Sequence, residues 1–146
     1  MVDILKELLL LIIAFCVGIF LLTYIINLPG LVTGKQTIVD EYYRKNFITN
    51  VPLDLFFILC YFLVAYLVML LLKVKKNWAK LLTVAIVTAL LTFFFCYHFT
   101  SKPVTKSFFS RWFNTVGYSS VIYDVILLVF IYGVYLYLKK YISKPV

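Results

Sequence analysis

Four long apolar runs separated by short polar segments make up most of the chain. They cover about residues 4–26, 52–72, 81–97 and 119–138. Because an α-helix rises 1.5 Å per residue, about 20 apolar residues cross a hydrocarbon layer of about 30 Å. The pattern predicts an all-α integral membrane protein, with four transmembrane helices forming a single up-down bundle over residues 1–146.

Helix-breaking residues mark the ends of the predicted spans. The first run stops at 27–30, Asn-Leu-Pro-Gly, and Pro52 suits the first turn of the second span. No small-x-small cleavage site follows the first run, so we expect a retained span and not a cleaved signal peptide. Ala14 and Gly18 are spaced for a close contact with another helix.

The polar segment 35–47, between the first two runs, carries apolar side chains at helical spacing. Its apolar positions are Ile38, Val39, Tyr42 and Tyr43. Its possible i, i+4 ion pairs are Asp40 with Arg44 and Glu41 with Lys45. The segment is therefore interpreted as a short helix at the membrane interface, with a flexible loop as the alternative.

Composition and charge identify the surroundings of these runs. The chain is 64% hydrophobic and only 14% charged, with mean hydropathy +1.03, whereas a soluble domain is about 45–50% apolar and about 25% charged. The net charge of +8 would suggest nucleic acid in a soluble protein. Here the basic residues sit at the ends of apolar runs, which favours anionic lipid headgroups as partners and argues against nucleic acid.

The distribution of basic residues also predicts an orientation. On the side of both termini lie Lys6, Lys73, Lys75, Lys76, Lys80, Lys139, Lys140 and Lys144. On the opposite side lie Lys35, Arg44, Lys45, Lys102, Lys106 and Arg111. The positive-inside rule therefore favours cytosolic termini. Predicted anchors at the membrane interface are Trp78, Trp112, Tyr132, Tyr135 and Tyr137, together with Lys139 and Lys140.

No catalytic or metal-binding pattern is recognisable. Cys16, Cys60 and Cys96 lie inside apolar runs without Cys-x-x-Cys or metal-ligand spacing, so they are interpreted as small packing residues. The chain has one histidine and no glycine-rich phosphate loop. We therefore expect a non-enzymatic protein without a metal ion or a cofactor.

Asp54 and Asp124 interrupt the second and the fourth apolar run. Both come near the start of a span, and an even number of spans places them in the same leaflet, on the side of His98 and Arg111. An acidic side chain at a helix centre costs roughly 2.5–3.5 kcal/mol, so each carboxylate needs a partner. The expected ion pairs are Asp124 with Arg111 and Asp54 with Arg44. The alternatives are a proton or cation site formed by Asp54, Asp124 and His98, and a purely structural role in capping and fixing the helices.

A five-residue string before the fourth span resembles the selectivity filter of potassium channels, Thr-Val-Gly-Tyr-Gly. The string is Thr115, Val116, Gly117, Tyr118 and Ser119. The resemblance implies a cation pathway lined by backbone carbonyls, but Ser119 stands in place of the second filter glycine. The alternative is that Gly117 makes a turn, Ser119 or Ser120 caps the fourth span, and nearby aromatic residues form an interfacial platform.

Two segments, 50–57 and 111–127, resemble small multi-span membrane proteins of large DNA viruses. They read Asn-Val-Pro-Leu-Asp-Leu-Phe-Phe and Arg-Trp-Phe…Val-Ile-Tyr-Asp-Val-Ile-Leu. The resemblance implies a component of the virion inner membrane that contacts capsid proteins. The first functional hypothesis is accordingly a structural or assembly role, through protein partners or self-association. The alternatives are an oligomeric cation channel at 115–119 and a proton-coupled carrier that uses Asp54 and Asp124.

Overall fold

The computed structural model describes residues 2–142, with side chains from residue 4 onward. The predicted basic residue Lys144 lies outside the described residues. The helices are α1 (Val2–Gly18, continued by a π-helical stretch Ile19–Ile25), α2 (Leu28–Thr33), α3 (Gln36–Asp40, continued by a π-helical stretch Glu41–Lys45), α4 (Phe47–Leu71), α5 (Asn77–Thr100), α6 (Phe108–Val116) and α7 (Ser119–Ile142).

Four of these helical segments are long and apolar enough to cross a membrane. They are Ile4–Ile25, α4, α5 and α7, of 22 to 25 residues with mean hydropathy between 2.1 and 2.9. Many of their large apolar side chains are exposed on the protein surface, where lipid replaces water as the solvent. The predicted all-α architecture with four spans is confirmed, and the protein is an integral, multi-pass membrane protein.

The second span begins earlier than the sequence predicted. α4 starts at Phe47, and Pro52 lies inside the helix instead of in its first turn. The polar neighbours of the first turn explain the earlier start. The Asn46 carbonyl accepts hydrogen bonds from the N–H groups of Thr49 (3.1 Å) and Asn50 (2.9 Å), and the Asn50 side chain donates to the Tyr42 carbonyl (3.2 Å). The helix therefore gains an extra amphipathic turn before its apolar run.

The connection between the first two spans is almost entirely helical. The predicted stop is confirmed, because Asn27 adopts a left-handed conformation (φ 56°) and ends the first span. The short helix α2 that follows was not predicted. The predicted interfacial helix is confirmed as α3 and its π-helical continuation. Its apolar positions are buried against the bundle, namely Ile38, Val39, Tyr42 and Tyr43.

The fourth span is the centre of the bundle, because α7 packs against both α1 and α5, whereas α4 packs mainly against α5. The contact between α1 and α7 is close. A Cβ atom on Gly18 would overlap the side chain of Ile131, which is fully buried, and Ala14 is also fully buried. The close helix contact predicted from Ala14 and Gly18 is therefore found.

A polar contact also joins α1 and α7, near the two termini. Lys139 Nζ lies 2.7 Å from Glu7 Oε1, and the Tyr135 hydroxyl donates to Glu7 Oε2. Tyr135 and Lys139 therefore turn toward α1, which differs from their predicted role as interface anchors. The reason is that Glu7 faces α7 and needs both a donor and a cation.

The other predicted anchors on this side divide into two groups. Tyr132 is half-buried, packs against Phe62 with 5.4 Å between ring centroids, and donates to the Met69 sulfur at 3.7 Å. Tyr132 therefore belongs to the packing between α7 and α4. Trp78, Tyr137 and Lys140 are exposed, as an anchor in the headgroup region requires.

The close contact of α1 and α7 predicts different costs for two helical glycines. Gly18→Ala should destabilise the protein by about 1–3 kcal/mol, because its methyl group overlaps Ile131. Gly133→Ala is the matched control, since its Cβ meets only Leu81 at an ordinary 3.9 Å and alanine favours the helix. Thermal unfolding in detergent compares the two variants. Equal melting temperatures for the two would contradict the close contact.

Candidate functional site

The two intramembrane aspartates come from helices that enter the membrane from the same side. Asp54 lies about two turns after the start of α4, and Asp124 about one and a half turns after the start of α7. Both side chains are half-buried at the surface of one cavity of about 150 Å³ inside the bundle. The predicted similar depth of the two residues is therefore found.

Three spans and two interfacial elements enclose this cavity. Its walls come from α4, α5 and α7, and we call α6 and the π-helical stretch Glu41–Lys45 the roof. Ten of its fifteen lining side chains are aromatic, and none of the fifteen is a lysine, an arginine or a histidine. The two carboxyl groups therefore lie among aromatic rings, without a basic side chain in the cavity wall.

Each carboxyl group accepts a hydrogen bond from a hydroxyl group. The Tyr42 hydroxyl donates to Asp54 Oδ1. Thr92 Oγ1 donates to Asp124 Oδ2 at 2.8 Å, and lies 3.3 Å from the Tyr61 hydroxyl. The other oxygen of Asp54, Oδ2, is buried and has no hydrogen-bond partner among residues 2–142. A buried acceptor without a hydrogen-bond donor lowers the stability of the fold. Asp54 Oδ2 is therefore the polar atom of the cavity that still needs a donor.

Further hydroxyl groups hold the roof on the bundle. The Tyr43 hydroxyl lies 2.6 Å from that of Tyr123, which lies 3.4 Å from Thr23 Oγ1. The Tyr24 hydroxyl donates to the Tyr43 carbonyl at 2.6 Å. Burial raises the pKa of Tyr42 and Tyr43 well above the ordinary value, and the nearby Asp54 charge raises it further. Both roof tyrosines therefore stay protonated and neutral, and Tyr42 donates a hydrogen bond to Asp54.

Both predicted ion pairs of the intramembrane carboxylates are wrong, namely Asp54 with Arg44 and Asp124 with Arg111. Arg44 is exposed and pairs with Asp40 at 3.3 Å, as predicted for an i, i+4 pair. Arg111 pairs instead with Glu41. The carboxylates point into the bundle, whereas both arginines bind carboxylates of the interfacial segment. The charges of these residues and their common leaflet were sufficient to predict that they lie near one another. They were not sufficient to predict in which direction each side chain points.

The pair of Arg111 and Glu41 joins the two roof elements at their polar edge. Both guanidinium nitrogens donate to the carboxylate, at 3.0 and 2.6 Å. This bidentate hydrogen bond lowers the pKa of Glu41 and raises that of Arg111. The expected pairing of Glu41 with Lys45 is therefore replaced by a contact between elements distant in sequence.

His98 does not belong to the site that the sequence suggested. It is exposed on α5, where its Nε2 lies 3.2 Å from Lys102 Nζ. Its ring packs against Phe94 and Phe99, with centroids 6.5 and 5.3 Å away. The predicted grouping of His98 with the two aspartates is corrected, because this face of α5 points away from the cavity.

α6 faces the bundle interior, in contrast to the predicted interfacial platform. Trp112 is only 8% exposed, lines the cavity, and lies 5.4 Å from the Tyr42 ring. Phe113 is buried and stacks on Phe99 of α5 at 5.4 Å, and the Asn114 side chain donates to the Phe99 carbonyl at 3.1 Å. The interface anchor predicted at Trp112 is therefore wrong, since this residue is part of the roof.

The filter-like string does not have the conformation of a filter. Thr115 and Val116 end α6, and Ser119 begins α7. Gly117 (φ 57°, ψ −143°) makes the turn between them, as in the alternative interpretation. The Ser119 and Ser120 hydroxyls donate to the carbonyls of Val116 (2.5 Å) and Gly117 (2.7 Å). These carbonyls are engaged locally, and Tyr118 is an exposed turn residue, so the cation pathway implied by the filter resemblance is not formed here.

No protein-family model, curated protein or solved structure matches this chain. The function of the protein therefore has to be inferred from the chemistry of the site, and the resemblance to viral membrane proteins stays a prediction. Within residues 2–142, no group of three His, Cys, Asp or Glu side chains gathers as metal ligands would. The chemistry that the described site can perform is the binding of protons or cations by two carboxylates.

Sequence analysis missed the hydroxyl groups that bind the two carboxylates. Thr92 and Tyr61 stand inside apolar runs, and Tyr123 precedes Asp124 directly. A polar residue within a predicted span is the available signal, because it needs a hydrogen-bond partner in lipid. Tyr42 was predicted only as an apolar position of the interfacial helix.

The bidentate pair of the roof predicts a pH-dependent stability. Because the pKa of Glu41 is lowered in the folded protein, its charged form stabilises the fold at neutral pH, and this contribution disappears as the pH falls through that lowered value. Glu41→Gln should therefore lower the melting temperature at pH 7, and the difference from wild type should shrink below about pH 4.

Asp40→Asn serves as the control, since its exposed pair with Arg44 contributes little. A difference between wild type and Glu41→Gln that stays constant with pH would argue against a role for the Glu41 charge in holding the roof.

Proposed function

We propose that this protein is a non-enzymatic membrane carrier that exchanges protons for a cation at Asp54 and Asp124. The observation that supports the proposal is the single cavity that both carboxyl groups line, in which Asp54 Oδ2 lacks a hydrogen-bond partner among the described residues. A site for exchange needs groups that bind either a proton or a cation, and carboxylates inside a membrane meet this need.

The low dielectric constant of the site makes neutralisation necessary. Moving a carboxylate out of water is strongly unfavourable unless a proton or a cation compensates the charge. Two carboxylates in one cavity also repel each other, so together they hold at least one proton more tightly than an isolated carboxyl group would. A cation that enters such a site competes with this proton, and its binding weakens as the pH falls.

The titratable groups around the two aspartates do not compensate the negative charge of the carboxylates. Those that line the cavity with them are Tyr42 and Tyr43 from the roof, Tyr61 from α4 and Tyr123 from α7. The side chains that line it from α5 and α6 are Phe95, Phe99, Phe109, Trp112 and Phe113. The pairs Asp40–Arg44 and Glu41–Arg111 neutralise themselves outside the cavity wall. Protons or an external cation are then the remaining counter-charges.

The proposal includes a membrane orientation and self-association. With both termini in the cytosol, as the basic residues favour, the cavity lies toward the opposite leaflet. Four spans offer little room for alternating access within one copy, so a dimer is the proposed transport unit. The partners of the lipid-exposed surface are lipid and a second copy of the chain.

A structural or assembly role is the second candidate function. It is favoured by exposed basic side chains on the roof side of the bundle, namely Lys35, Arg44, Lys45, Lys102 and Lys106. Such a surface suits anionic headgroups or acidic segments of partner proteins, including capsid proteins if the chain belongs to a virion inner membrane. This candidate predicts a stable protein partner after mild detergent extraction, and gives no role to the carboxylates of the cavity.

Proton release on cation binding tests the carrier proposal. In weakly buffered detergent at neutral pH, saturating sodium, potassium, tetramethylammonium or benzylammonium chloride is added to the purified protein. At least one of these cations should release about one proton per protein. Asp54→Asn or Asp124→Asn should abolish the release.

The matched control is Asp40→Asn, an aspartate outside the cavity wall, which should release protons like wild type. If none of the four cations releases protons from well-folded wild-type protein, the carrier proposal is wrong.

A further inference from the structure

The composition of the cavity narrows the class of cation that it suits. A hard metal cation is usually surrounded by about six to eight oxygen ligands. Here ten of the fifteen lining side chains are aromatic, and the hydroxyls of Tyr42, Tyr43 and Tyr123 take part in hydrogen bonds with other protein groups. An inorganic ion entering the cavity would lose more hydration than these side chains replace, which favours a cation that carries an apolar body.

The volume of the cavity indicates the size of the apolar body of the cation. This volume is about 150 Å³. A protein cavity of this volume holds a molecule of about the size of benzene. The ligand therefore has room for one small ring or a short branched chain beside its charged group.

The aromatic walls supply a surface that attracts positive charge. Ring faces bind ammonium groups within about 6 Å of their centroids, with Trp the strongest and Tyr next. Trp112 and Tyr42 lie 5.4 Å apart in the roof, close to Asp54, to which Tyr42 donates a hydrogen bond. A positive group next to the Asp54 carboxylate therefore lies in a cavity whose wall includes both rings.

Asp54 Oδ2 indicates what kind of ammonium group fits. This buried oxygen accepts no hydrogen bond from the described residues, so it suits a ligand that brings an N–H donor. A primary ammonium has three such donors, whereas a quaternary ammonium has none. One donor can bind Asp54 Oδ2, and the others remain for Asp124 in the same cavity.

From these observations we infer that the cavity binds one small primary ammonium ion with an apolar body of about six to eight non-hydrogen atoms. Its N–H groups bind the carboxylates of Asp54 and Asp124, and its body packs among the aromatic rings between α4, α5 and the roof. This inference rests on the proposed exchange of protons for a cation and specifies which cation takes part.

The position of Trp112 provides a direct measurement of binding. The chain has two tryptophans, and Trp78 is 62% exposed at the start of α5, so Trp78→Phe leaves Trp112 in the cavity wall as the single reporter. Trp112 fluorescence in detergent is titrated with benzylammonium, tetramethylammonium, benzyl alcohol and potassium. Benzylammonium should give a saturable change and bind at least about tenfold more tightly than the other three, because only this probe combines N–H donors, charge and a ring.

Asp54→Asn in the Trp78→Phe background should weaken benzylammonium binding by about tenfold or more, whereas Asp40→Asn should leave it unchanged. Binding should also weaken as the pH falls, since protons and the ligand compete. The comparison of the four probes requires no change in the cavity, so it decides the question even if Asp54→Asn fails to fold.

The outcomes separate this inference from the carrier proposal. If benzyl alcohol binds as tightly as benzylammonium, the cavity is merely apolar and the inference is wrong. Equal binding of tetramethylammonium would show that N–H donors do not matter, which also overturns it. If potassium releases protons in the Asp54-dependent manner described above while benzylammonium leaves Trp112 unaffected, the carrier proposal stands and the assigned ligand class falls.

Discussion

Neutralisation of two carboxyl groups inside a bilayer is the constraint on which this structure depends. Asp54 and Asp124 lie about one and a half to two turns inside the spans α4 and α7, where little water is available to solvate them. The protein gives each one a hydroxyl donor, from Tyr42 and Thr92, and encloses them with aromatic rings. These donors stabilise a carboxylate only in part, because a neutral hydroxyl orients a dipole but brings no charge. The remaining charge has to be compensated by something that binds.

The roof connects this constraint to the rest of the fold. The interfacial segment supplies Tyr42 to Asp54 and is fixed on the bundle by Tyr43, whose hydroxyl contacts Tyr123 of α7. α6 covers the same cavity with Trp112, and Arg111 joins it to the interfacial segment at the polar edge. Movement of either roof element would change access to the carboxylates. The proposed carrier needs such an element, and the roof lies outside the apolar spans, where hydrogen bonds can exchange with water.

Hydrophobic periodicity predicted the four spans because membrane insertion depends on the local composition of each segment. It also predicted the interfacial helix and the shared depth of Asp54 and Asp124, since both follow from segment length and order. The hydrogen-bond and ion-pair partners of individual side chains could not be predicted from the hydrophobic periodicity. Arg111 binds Glu41 and not Asp124, a choice set by how α6 is rotated on the bundle. The orientation of Trp112 could not be predicted for the same reason, because an amphipathic segment at an interface can turn its aromatic side toward lipid or toward protein.

The other carboxylates whose side chains the structure describes show how unusual the two in the cavity are. Glu7 binds Lys139, Asp40 binds Arg44, and Glu41 binds Arg111, all within 2.6–3.3 Å of a basic nitrogen. Asp54 and Asp124 lie deeper in the membrane than the interfacial pairs, where a counter-charge matters more, yet their cavity contains no basic residue. If these two groups served only to fix the helices, a lysine or arginine in the wall would stabilise them permanently. Such a residue would also compete with any external cation, so a cavity wall without a basic side chain fits the proposed exchange of protons for a cation.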